Sequence, residues 1–170
     1  MTVTKARCLI LACGNTLRSD DGVGPWLASW AEERFSGSDR VRVLSSQQWT
    51  LELVEEVARA ESVLFIDCSA DSEPGGVRLV PVEAKADMQG VATHHLGASE
   101  LITVGRELYG SLPRAALLLT VGAASMELGE EFSAAVKAAL PDACRQIEET
   151  VTRFLAGAAP PEAPQRAERG

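Results

Sequence analysis

The run Cys8-Leu-Ile-Leu-Ala12 constrains this chain more than any other feature. Five apolar residues in a row are too few for a helix and too uniform for a half-exposed strand, so they belong to a strand buried on both faces. Gly14-Asn15 ends that strand. After a polar loop, Val23, Leu27, Trp30 and Ala31 return at helical spacing, with Gly22 and Gly24 permitting a tight backbone path and Pro25 suited to a first helical turn. The stretch therefore reads as strand, loop, helix, and the loop holds two adjacent carboxylates, Asp20 and Asp21. In open α/β sheets, binding sites are built at this handover.

A nearby helix N-terminus favours negative charge, so both carboxylates are expected to be ionised and able to bind a cation or take a proton. The bland alternative for each is a helix cap. Gly14, Gly22 and Gly24 match neither the dinucleotide fingerprint nor the phosphate loop, and acids at that point would repel phosphates.

The pattern continues with a helix over about Val23 to Phe35, a second strand over Val41–Ser45, and a helix that Thr50 would cap, ending near Glu61. Leu51, Val54, Val57 and Ala58 would form the buried face of that helix. A third strand, Ser62 to Ile66, closes on Asp67, where a charge is costly unless it meets a cleft, an ion or a turn amide. The first and third strands should be neighbours, which would let Asp67 face Asp21 across a shared rim. Too little chain follows for a crossover helix, so Val77–Val82 should run antiparallel to the third strand, and Pro81 marks it as an edge.

Residues from Glu83 to Ala92 read as a mobile surface loop. It delivers His94 and His95, the only histidines in the chain, to a helix over Ala98–Tyr109 carrying Leu101, Val104 and Leu108 on one face. Histidine is both a metal ligand and a base near neutral pH. A fifth strand, Ala115–Val121, and a final helical stretch from near Ser133 complete the domain, with Pro141 expected to kink or restart that stretch. Its packing stripe would be Val136, Ala139, Leu140, Ile147, Val151, Phe154 and Leu155. One domain over residues 1–157 is expected, with a disordered Pro/Ala-rich tail over 158–170.

A net charge of −8 argues against nucleic acid or an anionic membrane as partner and favours a cationic or metal-bearing one. The first residues lack the apolar core of a signal peptide, and no apolar run reaches the length of a membrane span, so a cytoplasmic protein is expected. Cys8, Cys13, Cys68 and Cys144 form no Cys-x-x-Cys pair and read as buried small hydrophobes, although Cys13 and Cys68 fall near strand ends.

Taken in order, Gly14-Asn15-x-Leu17-x-x-Asp20-Asp21-Gly22-x-Gly24, the strand ending in Asp67, and Thr93-His94-x-Leu96 resemble the hydrogenase maturation endopeptidases. Gln48-x-x-Leu51-Glu52-Leu53 and Glu127-Leu128-Gly129-Glu130 extend the resemblance, which runs from about residue 8 to 155. It implies an α/β fold with three layers: a five-stranded, mixed but mostly parallel twisted sheet with helices on both faces. It also implies removal of a C-terminal peptide from the large-subunit precursor of a nickel–iron hydrogenase after nickel insertion. The metal-contacting and catalytic residues would be Asp21, Asp67 and His94, with His95 second to His94. Many relatives have Glu where this chain has Asp21, one methylene longer.

Two carboxylates and an imidazole suit a divalent first-row ion. In this reading the nickel is the substrate's own and no organic cofactor is needed; the sequence leaves the oligomeric state open and favours a monomer. Nickel would polarise the scissile carbonyl or acidify a water while a carboxylate not engaged by the metal takes the proton. The competing readings are a non-catalytic nickel-checking assembly factor on the same fold and a small-molecule hydrolase or nucleotide-binding α/β protein. Against the second stand the missing phosphate loop and the missing Gly-x-Ser-x-Gly elbow.

Overall fold

The computed structural model describes residues 7–91 and 96–158. Strands β1 (Cys8–Cys13), β2 (Val41–Ser46), β3 (Ser62–Ser69), β4 (Val77–Pro81) and β5 (Ala115–Gly122) form one sheet in the order β2-β1-β3-β5-β4. All neighbours are parallel except β4, which runs antiparallel to β5. Helices α1 (Val23–Arg34), α2 (Val54–Arg59), α3 (Ala98–Tyr109) and α4 (Ala134–Ala156) cover both faces.

Alternation along the strands divides the core in two. Ile10, Leu64, Leu117 and Leu119 pack with Leu27 of α1 and Ile147, Val151 and Phe154 of α4. Leu9, Leu11, Val63 and Phe65 pack on the other face with Val54 and Val57 of α2 and Leu101 of α3. β1 is buried at all six positions, as a strand covered on both sides must be. From β1 the chain passes over one face through α1 to β2, then over the other through α2 to β3. The sheet order therefore reverses between β1 and β3, where α/β folds open a crevice beyond the C-terminal strand ends.

Several expectations are corrected. β4 has the antiparallel direction and edge position foreseen, but it hydrogen-bonds to β5, which lies between it and β3. β3 runs on through Asp67 to Ser69 because β5 supplies ladder partners as far as Gly122. Thr50 makes no side-chain cap; Leu51–Leu53 form a 3₁₀ turn before the six-residue α2, and Leu51 is exposed. Leu108 is also exposed, and Ile102 takes its expected place in the core with Leu101 and Val104. Pro141 does not restart the last helix, which is continuous from Ala134 to Ala156 with Pro141 on its exposed side. Losing one N–H there leaves the other helical hydrogen bonds to carry the turn.

The segment after β4 has no regular structure but is pinned rather than free. Thr103 Oγ1 accepts a hydrogen bond from the Lys85 amide at 2.8 Å, and Lys85 pairs with Glu100 at 2.5 Å. Val82, Ala84 and Val91 pack on the second core. The tail over 159–170 lies outside the described residues, and among those described no helix is long and apolar enough to cross a membrane.

Candidate active site

Between β1 and α1 the chain makes a 3₁₀ turn, Ser19–Gly22, that carries both acids. Two glycines permit the path. Gly14 has φ +152, and a Cβ there would lie 2.0 Å from the Asp21 carbonyl oxygen; a Cβ on Gly24 would lie 2.2 Å from the Cys13 carbonyl oxygen. The loop closes on itself when the Asn15 amide donates to Asp21 Oδ2 at 2.8 Å and the Leu17 amide donates to Asn15 Oδ1 at 2.9 Å. Neither acid caps α1, whose N-cap is Gly22, so the helix-cap alternative fails for both.

The two adjacent carboxylates have different environments. Asp20 is fully buried. Its Oδ2 accepts the Ala124 and Ser125 amides at 2.8 and 3.0 Å, and its Oδ1 accepts the Ser133 amide at 2.7 Å. Burial alone would push this carboxyl up; the amides of Ser133, Ser125 and Ala124 outweigh burial and hold it below the ordinary carboxylate range. Asp20 is therefore a tie between the β1–α1 turn and the segment leading to α4, whose N-cap is Ser133. Four further bonds reinforce the tie: Ser19 N to Gly129 O at 2.7 Å, Gly129 N to Leu17 O at 2.9 Å, Asp20 N to Ser125 O at 3.1 Å, and Ser19 Oγ to Glu127 O at 2.8 Å.

Asp20→Asn should accordingly be a folding variant first. An amide nitrogen must face a backbone N–H that now has no acceptor, at a cost of about 3 kcal/mol. For a domain of this size that lowers Tm by roughly 6–12 °C, readable by calorimetry. The Asp20 carboxyl is depressed in the fold, so its contribution is complete at neutral pH. It is lost as pH falls below the ordinary carboxylate range, and the gap between wild type and variant should narrow there.

Asp67 lies where β3 outruns β1. The last β1–β3 partners are Ala12 and Ile66, so from Asp67 onward β3 is paired only with β5, as Asp67 with Thr120, and its other edge faces the end of β1. Asp67 is half-buried, and the Cys68 amide donates to its Oδ1 at 2.8 Å. That bond is the turn-amide partner an acid in this position needs, yet it does not fully compensate the charge. Burial raises the carboxyl, hydrogen bonds from the Cys13 thiol and the Cys68 amide lower it, and the charge of Asp21 raises it again; the balance lies above the ordinary range. The packing of the 3₁₀ turn against β3 brings Asp21 to the rim on which Asp67 stands, near enough for its charge to raise the Asp67 carboxyl.

Two thiols flank this pair. Burial and the neighbouring carboxylates push Cys68 up to about 12 and Cys13 higher still, so both are protonated at neutral pH and neither serves as a nucleophile. The Cys13 thiol instead lies close enough to Asp67 to lower its carboxyl. This contact was not legible in sequence, where Cys13 registered only as a cysteine near a strand end. The partners of Asp20 were not legible either, although the Glu127-Leu128-Gly129-Glu130 motif lies between them in the chain.

His94 and His95 lie outside the described residues. Leu96, which follows them, is buried in the core cluster that also holds Cys13, on the face covered by α2 and α3. Among the described residues no three His, Cys, Asp or Glu side chains group as a metal site.

A family model described as hydrogenase maturation protease matches residues 27–150, a span that includes Asp67 and begins just after Asp21. The chain is 24% identical over 145 residues to the hydrogenase 2 maturation protease of Escherichia coli, covering 83% of this chain and 88% of that one. It is 26% identical over 148 residues to the hydrogenase expression/formation protein HoxM of Azotobacter vinelandii, covering 84% and 71%. Among solved structures, the hydrogenase maturating endopeptidase HybD of E. coli superposes with a TM-score of 0.70 at 22% identity, over 86% of this chain and 93% of that one. The HybD maturation protease of Thermococcus kodakarensis gives 0.63 at 26% identity, over 85% and 98%.

Proposed function

This chain belongs to the hydrogenase maturation protease family, and we propose that it removes a C-terminal peptide from the nickel-loaded large-subunit precursor of a nickel–iron hydrogenase, in the cytoplasm. The observation that carries this reading is the meeting of Asp21 and Asp67 beyond the ends of β1 and β3, at the point where the strand order reverses. Asp21, Asp67 and His94 would contribute ligands to an ion that arrives with the substrate. Two oxygens and an imidazole nitrogen are a reasonable complement to thiolates already holding a divalent nickel.

In this reading the ion polarises the scissile carbonyl, water adds to it, and the carbon–nitrogen bond breaks as the leaving amine is protonated. One residue must carry a proton from the water to that amine. Asp67, raised above the ordinary carboxylate range by burial and by the Asp21 charge, would do so at the stage where it is not engaged by the ion. The Cys68 amide, donating to its Oδ1, holds the side chain in place.

Purified protein incubated with nickel-loaded precursor should shorten it, as read by mass spectrometry. An unchanged mass with a folded, precursor-binding protein would favour the non-catalytic assembly factor. In the same assay His94→Ala should lower the rate about 10²-fold, within the range for losing one acid–base or electrostatic group, and His95→Ala should cost much less. If His95→Ala is the inactive one, the ligand is the second histidine.

A further inference from the structure

Beside the turn that carries Asp21 runs an open groove of about 450 Å³, walled by Pro25, Trp26 and Trp30 of α1 and by Phe132 of the segment before α4. Gly22, the residue after Asp21, also lines it. Its apolar floor is unusual for a helix flank: Trp26 is 41% exposed, although a Trp on an outer helix face gains nothing from packing with its own core. The two segments latched together by Asp20 extend the apolar surface, since Leu17 and Leu128 are both exposed and the backbone bond from Gly129 to Leu17 holds them side by side.

The charged residues that line the groove are both acidic. Glu33 and Glu130 line the groove, no Lys or Arg does, and neither Glu takes part in an ion pair among the described residues. Glu127 and Glu131 are exposed on the same latched segment. The geometry points to a docking surface for one occupant: a segment of the substrate precursor that presents an apolar side chain to Trp26, Trp30 and Phe132 with a Lys or Arg beside it for Glu33 and Glu130. The inference rests on the processing reading above, since it places that segment next to the scissile bond. The groove and Asp21 share one turn, so a peptide held there is aligned with the site by the same backbone that positions the carboxylate. Aromatic anchors at the centre and like charges at the rim divide the work: the aromatics supply affinity, the acids steering and selection.

The test is a binding titration in the Asp67→Asn background, where the precursor is not consumed, with labelled nickel-loaded precursor followed by fluorescence anisotropy. Adding Trp26→Ala should weaken Kd about 10-fold or more, and Trp26→Phe should restore most of it. Adding Glu33→Lys with Glu130→Lys should weaken Kd by a similar factor and flatten its dependence on salt. All of these side chains are solvent-exposed, so matched melting curves are expected and will identify any variant that fails to fold. Kd values within twofold of the parent for both sets, or no precursor binding by the parent, would overturn the groove. A groove-dependent Kd together with wild-type protein that leaves the precursor mass unchanged would instead uphold the groove and overturn the processing reading.

Discussion

Asp67→Asn is expected to abolish cleavage, by about 10³-fold or more, and at the same time to raise thermal stability at pH 7. The two effects share one cause. The Asp67 carboxyl is lifted above its ordinary range by burial and by the Asp21 charge, so the folded protein holds its proton more tightly than the unfolded chain does. Between the unfolded and folded values the native state therefore binds more protons, and stability falls as pH rises through that window. At neutral pH the ionised carboxylate is a net cost to the fold. Asparagine removes that charge, keeps the side chain's size, and its Oδ1 still accepts the Cys68 amide that Asp67 accepts at 2.8 Å. Melting curves at pH 7 and pH 3.5 should show the variant above wild type at the first and close to it at the second. An acid retained for the fold would behave as Asp20 does, with its replacement lowering Tm. A Tm drop for Asp67→Asn with cleavage intact would make Asp67 a turn residue and remove it from the site.

The contrast between Asp20 and Asp21 shows how far the sequence could be read. Both stand before a helix, and periodicity alone treats them alike. The strand and helix that frame them were legible because apolar runs and helical spacing are local signals, and so were β5 and α3. What separated them was the segment over 124–133, more than a hundred residues away, whose amides claim Asp20 and leave Asp21 to the rim. The register of β3 was hidden for the same reason. A strand continues while a neighbour offers it a ladder, and β5, which carries β3 past Asp67, follows it by some fifty residues. Leu51 and Leu108 matched a helical face in spacing but fell outside it, because α2 is shorter than its pattern and α3 turns its end to solvent.

The second large effect concerns the metal. Asp21 and Asp67, with His94, are a sparse ligand set for holding a divalent ion unaided, and the two thiols nearest to them are kept protonated by burial and by the carboxylates themselves. A site of this composition gains a tight hold on nickel only when the substrate's thiolates complete the coordination. The central claim is therefore that metal enters with the substrate, and mixing metal-free enzyme with precursor prepared with and without nickel tests it most directly. Loss of the C-terminal peptide, scored by mass spectrometry, is expected only from the nickel-loaded precursor, at a rate set by its nickel content. Rapid cutting of nickel-free precursor, or activity that requires one metal ion bound tightly to the enzyme before substrate is added, would contradict it.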